Sequence, residues 1–161
     1  KNFEVESIRE SFYDRFKVNG IQKDRLILEG QSPRSKYLAA YNRVDIALSP
    51  FPYGGGTTSA EGLWMGVPVI TMQGNHFLSH LGESIANNTG LSDWIAVDEE
   101  DYVAKAIAFS TDLEGLEKLR SRLRAQVLSR PLFDAEGFAN HFKNALRGMW
   151  KRFEERDKSN S

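Results

Sequence analysis

The chain has 161 residues, 27% charged residues and a formal net charge of −1 at pH 7, which suits one soluble domain and offers no basic stripe to nucleic acid. It contains no cysteine and only three histidines, so a disulfide framework and a thiolate metal site are excluded and a histidine-based zinc site is disfavoured. No apolar run is long enough to cross a membrane, and no signal peptide is present. We therefore expect a cytoplasmic protein with no metal, no membrane contact and no nucleic-acid partner.

Hydrophobic periodicity and stop signals predict helices that alternate with strands. A first helix carries Val5, Ile8, Phe12 and Phe16 at helical spacing and ends at Asn19-Gly20. The remaining predicted elements, in chain order, are a strand at 25–28, a helix opened by Ser32-Pro33 and closing near Arg43, a strand at 45–48, a helix at 57–65, a strand at 67–72, a helix at 77–86, a strand at 94–97, and helices at 99–109, 113–129 and 136–153. The pattern predicts an α/β fold, a Rossmann-like parallel sheet with helices on both faces. Residues 1–152 would form one lobe and residues 153–161 a frayed tail.

The most informative segment joins the strand at 45–48 to the helix at 57–65. Gly54, Gly55 and Gly56 are consecutive there, and Thr57 and Thr58 open the helix. Glycines let the backbone approach a ligand, and a helix N-terminus offers N–H groups and a positive dipole end to an anion. In parallel sheets ligands bind beyond the carboxyl ends of the strands, where this loop begins. The segment is interpreted as a phosphate cradle, although it is neither a dinucleotide fingerprint nor a Walker loop; the alternative is a plain connection with a threonine cap.

Residues near this loop are candidates for contacts with the rest of a nucleotide. Glu61 lies one turn into the helix and could accept hydrogen bonds from vicinal ribose hydroxyls, or be a solvated helix residue. Ser32, Arg34 and Tyr37 follow the neighbouring predicted strand, so their loop could face the same crevice. An aromatic ring there would suit a nucleobase, with helix packing as the other explanation for Tyr37.

Other conspicuous residues have ordinary structural explanations. His80 and Glu83 lie three apart on a predicted helix and could contact a substrate, but a surface pair is favoured. Trp64 and Trp94 are predicted to lie in the core. The acidic run at 98–101 would complement a helix dipole. No Ser-His-Asp set or glycosidase-like carboxylate pair can be argued from spacing, so the catalytic residues remain unknown.

Several short motifs occur together in a fixed order between about residue 24 and residue 152. They are Ser32-Pro33, Ser49-Pro-Phe-Pro-Tyr-Gly-Gly-Gly-Thr-Thr58, Leu63-Trp-Met-Gly-Val-Pro-Val-Ile-Thr71, Thr111-Asp-Leu113, Leu116-Glu-Lys-Leu-Arg120, Ser129-Arg-Pro-Leu-Phe133 and Met149-Trp150. This set resembles the C-terminal lobe of the O-linked N-acetylglucosamine transferase family, with its bacterial SPINDLY-like branch as the most similar part.

The resemblance implies the C-terminal lobe of a GT-B glycosyltransferase, which holds most of a UDP-sugar without a metal or other cofactor. Thr57 and Thr58 would hold the diphosphate and Glu61 the ribose. Ser32, Arg34 and Tyr37 occupy the uracil loop. The acceptor protein would be bound by an N-terminal lobe and tetratricopeptide repeats outside this chain. Most catalytic groups would lie there too, so the chain alone is expected to be an inactive fragment.

Three residues depart from the pattern of the animal members. Gly56 replaces a histidine directly before the threonine pair, Tyr37 replaces a histidine that stacks on uracil, and Ala40 replaces an arginine. The family's lysine that steadies the diphosphate would lie before Lys1. These departures leave open a non-catalytic module that binds a nucleotide sugar or acts as a scaffold.

A second resemblance keeps the donor sugar open. The motif Pro50-Phe-Pro-Tyr-Gly54, the pair of His80 and Glu83, and Gly90-Leu-Ser-Asp-Trp-Ile95 look like bacterial cytoplasmic transferases that attach glucose to asparagine. The expected function is transfer of N-acetylglucosamine from UDP-GlcNAc to Ser or Thr of proteins, with a UDP-glucose-type transferase acting on Asn as an alternative. A UDP-sugar epimerase ranks last.

Overall fold

The computed structural model describes residues 2–159, and the side chains of residues 2–157. The chain divides into two compact units, one up to Arg43 and one from Val44 onward, and each is described by itself. The assignment of residues 1–152 to a single lobe stays a prediction.

The unit up to Arg43 is built from two helices, α1 (Glu6–Val18) and α2 (Arg34–Ala40), with 3-10 turns at Lys23–Arg25 and Tyr41–Arg43. The predicted stop of α1 is confirmed, because Gly20 adopts a φ of 80° directly after the helix. Neither helix contains a buried residue. The unit therefore has little apolar core of its own.

Two predictions for this unit are wrong in detail. Residues 25–28 do not form a strand, because Arg25 ends a 3-10 turn and the N–H of Leu26 donates to the carbonyl of Lys23 at 3.1 Å. Ile27 is 74% exposed, so it lacks the burial that a sheet would give it. The N-cap of α2 is Pro33, so the helix begins at Arg34, after the residues Ser32-Pro33 that were predicted to open it.

The unit from Val44 onward alternates strands and helices, as predicted. Its elements are β1 (Ala47–Leu48), α3 (Thr57–Trp64), β2 (Val69–Met72), α4 (His80–Asn87), β3 (Ile95–Ala96), α5 (Glu99–Thr111), α6 (Leu113–Leu128) and α7 (Ala135–Ser159), with 3-10 turns at Phe77–Ser79, Ser92–Trp94 and Pro131–Phe133. The predicted helix at 77–86 is therefore split, since its first turn is 3-10. The strands are shorter than predicted.

The three strands form a parallel sheet in the order β1-β2-β3. Ala47 pairs with Val69 at one junction, and Thr71 pairs with Ile95 at the other. The crossovers are made by α3 and α4. Because the strands are parallel, their carboxyl ends lie along one edge, and the loops at 49–56 and 73–79 both start there.

The core lies where the helices pack on the central strand β2, which α3, α4 and α5 all contact. Leu63, Ile70, Leu123 and Val127 are fully buried. Trp94 is buried too and stacks on Phe109 with ring centroids 4.2 Å apart. These side chains lie far apart in the sequence, so the stability of the unit depends on long-range packing.

The turn from α3 into β2 is a glycine stop between the predicted helix at 57–65 and the predicted strand at 67–72. Gly66 adopts a φ of 77°, and its N–H donates to the carbonyl of Leu63 at 3.0 Å. The N–H of Val67 donates to the carbonyl of Gly62 at 2.9 Å, which completes a Schellman motif. The chain reverses tightly here and enters β2 through Pro68.

Helix α7 is longer than the sequence predicted. Residues 153–159 continue the helix where a frayed tail was expected, and the last two residues of the predicted tail lie outside the described residues. Its apolar residues at helical spacing are about half-exposed or more; they are Phe138, Phe142, Leu146, Met149 and Phe153. None of the described helices combines the length and the apolarity needed to span a bilayer.

Candidate functional site

Ser49 anchors the loop that leads from β1 to α3. Its N–H donates to the carbonyl of Ile70 at 2.9 Å, which extends the β1–β2 ladder by one residue. Its buried Oγ accepts a hydrogen bond from the N–H of Gly55 at 3.1 Å. Its carbonyl accepts a hydrogen bond from the hydroxyl of Tyr102, in α5, at 2.9 Å. One serine thus fixes the beginning of the loop and, through Gly55, its end.

The three glycines of the loop lie in close packing with neighbouring side chains. None of the three has a positive φ value. A Cβ added at Gly54 would lie 3.1 Å from Ser49 Oγ, and one added at Gly55 would lie 2.7 Å from Ser59 Oγ and 2.8 Å from Thr58 Oγ1. These hydroxyls lie against the loop backbone, and Ser59 Oγ also donates to the carbonyl of Gly55 at 2.9 Å. The loop is therefore folded tightly over the start of α3.

Helix α3 begins at Thr57 with Gly56 as its N-cap, a residue that has no side chain with which to cap the helix. The alternative explanation, a threonine cap, is wrong, because Gly56 is the N-cap and both threonines lie inside the first turn. Their side chains are exposed. The N–H groups of a first helical turn have no partner within the helix and carry the positive end of its dipole. This helix start therefore presents N–H groups and two hydroxyls at the carboxyl edge of the sheet. Glu61, half-buried, lies one turn further along the same helix.

The first turn of α4 lies beside the N-terminus of α3. A Cβ added at Gly56 would lie 3.0 Å from Leu81 Cδ2. The space next to the threonine pair is therefore occupied by Leu81. A side chain at position 56 requires Leu81 to move. This is a physical reason for Gly56, the position at which the animal pattern has a histidine.

His80 opens α4 and is paired as predicted. Its Nδ1 lies 2.8 Å from Glu83 Oε2, and the ring is mostly exposed. The pair borders an open cleft at the carboxyl edge that Gln73, Asn75 and Asp98 also line. The surface-pair prediction is confirmed, and the contact of His80 with a substrate stays a prediction.

The loop that leads into α4 is also held by a buried serine. Ser79 Oγ accepts the N–H of His76 at 3.0 Å and donates to the carbonyl of His76 at 2.7 Å. A Cβ at Gly74 would lie 2.3 Å from this Oγ. Both loops at this edge of the sheet therefore fold around a serine hydroxyl.

Ser32, Arg34 and Tyr37 belong to the unit up to Arg43. Tyr37 is half-buried, and its hydroxyl lies 2.9 Å from the hydroxyl of Tyr41 in the next turn. The two rings meet edge to face with centroids 5.6 Å apart. Ser32 is half-buried and Arg34 exposed. Tyr37 thus packs against the 3-10 turn that follows α2, and the uracil role of the three residues stays a prediction.

Sequence reasoning missed the residues that hold the loops. Ser49 could have been found, because it is the residue at the carboxyl end of a predicted strand. Tyr102 carries no local signal, since its partner lies 53 residues away in the chain. Of the two tryptophans predicted in the core, Trp94 is buried, whereas Trp64 is 38% exposed under the guanidinium of Arg124. In the described part of the chain, no group of three or more His, Cys, Asp or Glu residues is placed to hold a metal ion.

The parallel sheet and the glycine loop that enters α3 define a Rossmann-like α/β fold, the predicted class. Comparison with solved structures agrees. A mutant of Thermobaculum terrenum O-GlcNAc transferase superposes with a TM-score of 0.82 at 34% sequence identity, over 89% of this chain and 28% of that chain. The predicted match to a GT-B transferase fold is confirmed.

The family model described as glycosyl transferase family 41 matches residues 8–142. The chain belongs to this family. It is 35% identical over 154 residues to a probable UDP-N-acetylglucosamine–peptide N-acetylglucosaminyltransferase SPINDLY of Hordeum vulgare, covering 95% of this chain and 16% of that protein. It is 26% identical over 135 residues to the UDP-N-acetylglucosamine–peptide N-acetylglucosaminyltransferase of Caenorhabditis elegans, covering 84% of this chain and 12% of that protein. The chain thus spans about a sixth or less of the length of these curated relatives.

Proposed function

We propose that this chain is the donor-binding part of an inverting protein glycosyltransferase that transfers N-acetylglucosamine from UDP-GlcNAc to Ser or Thr residues of proteins. Membership of glycosyl transferase family 41 and the activities named for its relatives support the proposal. The observation that carries it is the start of α3 at the carboxyl edge of the sheet, with a glycine as its N-cap and a tightly folded glycine loop before it.

The start of α3 would bind the diphosphate of the donor. When the bond to the sugar breaks, negative charge develops on the leaving diphosphate. The N–H groups of the first turn, the hydroxyls of Thr57 and Thr58 and the positive end of the helix dipole would stabilise that charge. Because these groups are held in place before the reaction, they need no reorganisation as the charge forms. We propose that this electrostatic stabilisation operates without a metal or another cofactor.

The remaining contacts with the donor follow the family pattern. Glu61 would accept hydrogen bonds from the ribose, and Ser32, Arg34 and Tyr37 would hold the uracil. His80 is a further candidate for a donor contact. We propose that the acceptor protein is bound by parts of the enzyme outside this chain, including tetratricopeptide repeats, and that the enzyme is a bacterial protein of the cytoplasm.

Titration with UDP by calorimetry tests the donor site. The double variant Thr57→Val/Thr58→Val keeps the side-chain shape and removes both hydroxyls, and Thr111→Val removes an exposed threonine hydroxyl that donates to two carbonyls within α5. A hydrogen bond to a charged group is worth about 1.5–3 kcal/mol. We therefore expect the double variant to bind UDP at least about tenfold more weakly, and Thr111→Val to bind like the unchanged chain. UMP should bind more weakly than UDP to the unchanged chain.

Equal UDP affinity of the double variant and the unchanged chain would refute the proposed binding of the diphosphate by the hydroxyls of Thr57 and Thr58. An absence of binding at millimolar UDP, both by this chain and by a longer protein that contains it, would refute the donor site altogether. Transfer assays with the longer protein then decide the chemistry. Transfer from UDP-GlcNAc to a protein supports the proposal, and transfer from UDP-glucose to asparagine favours the alternative. Binding of UDP without any transfer favours a non-catalytic module, for which Gly56 and Ala40 are the sequence support.

A further inference from the structure

The loop before α3 is held from α5, a helix that starts more than forty residues later in the chain. The hydroxyl of Tyr102 donates to the carbonyl of Ser49 at 2.9 Å. Ser49 in turn accepts the N–H of Gly55 through its Oγ at 3.1 Å. A chain of two hydrogen bonds therefore runs from α5 to the residue next to the N-cap of α3.

Tyr102 is suited to hold this loop firmly. Its side chain is buried, with 8% of its surface exposed. The ring of Phe51, in the same loop, meets the Tyr102 ring edge to face with centroids 5.3 Å apart. Burial raises the pKa of the Tyr102 phenol above its ordinary value of 10.0, so the hydroxyl stays protonated and able to donate at neutral pH. The loop is thus tied to α5 by one hydrogen bond and one ring contact.

We propose that Tyr102 is a positioning residue for the diphosphate site: its hydroxyl fixes Ser49, and Ser49 fixes the Gly55 amide at the entrance to α3. The inference rests on the proposed function, because it assigns a role in that same site. Tyr102 does not touch the donor. It acts by keeping the loop in the conformation that leads into the first turn of α3.

The physical reason lies in the cost of ordering a loop. Each residue that must be fixed when a ligand binds reduces the affinity, whereas a loop already fixed in the free protein binds without that cost. Removing the Tyr102 hydroxyl leaves the Ser49 carbonyl without this donor and frees the loop to move. A single net hydrogen bond corresponds to about a two- to tenfold change in an equilibrium constant. The affinity for UDP should fall by that factor.

The test compares Tyr102→Phe with a matched control in which another buried hydroxyl is removed. Phe keeps the ring that packs on Phe51. The control, Thr89→Val, removes a fully buried hydroxyl that bonds to the carbonyls of Ile85 and Ala86 at the other end of α4. Both variants lose a buried hydrogen bond and some stability. Only Tyr102→Phe should loosen the loop.

Two readouts separate positioning from general stability. Amide hydrogen exchange of the free chain should be about two- to tenfold faster at Gly55 in Tyr102→Phe and unchanged there in Thr89→Val. The Kd for UDP should be raised about two- to tenfold in Tyr102→Phe and unchanged in Thr89→Val. Both are measured under conditions in which denaturation curves show each variant to be fully folded.

The possible failures are distinguishable. If the unchanged chain and the longer protein that contains it do not bind UDP, the proposed function fails and the inference fails with it. If UDP binds and Tyr102→Phe shows the affinity and the Gly55 exchange of the unchanged chain, the inference alone is overturned. Equal weakening of UDP binding in both variants would also overturn it, because loss of stability would then explain the effect.

Discussion

Replacing Gly55 by alanine tests whether the glycine loop is built for packing. The backbone at Gly55 does not have a positive φ, so alanine is not excluded by conformation. Its Cβ, however, would lie 2.7 Å from Ser59 Oγ and 2.8 Å from Thr58 Oγ1. The exposed Thr58 can rotate away. Ser59 is buried and donates to the carbonyl of Gly55 at 2.9 Å, so its movement breaks a hydrogen bond.

The expected cost follows from that bond. A net hydrogen bond contributes about 0.5–1.5 kcal/mol, and a buried hydroxyl left without a partner costs about 1–3 kcal/mol. We expect Gly55→Ala to lower the free energy of unfolding by about 2 kcal/mol. In a second variant, Gly55→Ala/Ser59→Ala, the clash with the serine hydroxyl is gone. This double variant should lose less stability than the sum of the two single changes.

Urea denaturation followed by tryptophan fluorescence measures these stability changes in the unit from Val44 onward, which contains Gly55. All three tryptophans, Trp64, Trp94 and Trp150, follow Val44 in the chain. The control is Gly148→Ala in α7, where an added Cβ meets nothing within 4 Å and alanine should stabilise the helix by about 0.5–1 kcal/mol. Stability of Gly55→Ala equal to that of the unchanged chain would refute the packing argument. Additivity of Gly55→Ala and Ser59→Ala would show that the clash is not with Ser59.

Two further predictions concern the core and the pH dependence of the same unit. Trp94→Ala should destabilise it by about 3–5 kcal/mol in urea denaturation, because a large buried ring is lost, whereas Trp150→Ala, at a side chain 63% exposed, should change stability by less than about 0.5 kcal/mol. The Val97 N–H and then Lys105 hold the pKa of Asp101 below its ordinary value of 3.8. Since the pKa is lower in the folded state, the stabilisation is complete above about pH 4 and is lost as the pH falls through the lowered value. The difference in unfolding free energy between the unchanged chain and Asp101→Asn should therefore shrink below pH 4, and a constant difference would contradict this origin.

The order of elements could be predicted from the sequence because local signals mark most of their ends. Gly66 stops α3, and Asp98 caps α5 by accepting the N–H of Asp101 at 2.8 Å. The prediction of a strand at 25–28 was wrong. A short apolar run is buried in a sheet only when it pairs with another strand, and Ile27 is exposed instead. The residues of the site likewise differ in whether local sequence reveals them. Thr57 and its neighbours are visible as a loop-to-helix pattern, whereas the contact of Tyr102 with the loop depends on the packing of α5 against the sheet.

The packing role of the glycines and the proposed binding role are compatible, because one arrangement accounts for both. A Cβ at Gly55 would clash with the hydroxyls of Thr58 and Ser59, and one at Gly54 or Gly56 would press tightly on Ser49 or Leu81. Ser49 and Ser59 hydrogen-bond the N–H and the carbonyl of Gly55, so the loop that leads to the first-turn N–H groups of α3 is fixed before any ligand arrives. An anion that binds there gains the full interaction with them, since little loop entropy remains to be lost. Substitutions that relax the loop should therefore weaken UDP binding even when they leave Thr57 and Thr58 unchanged.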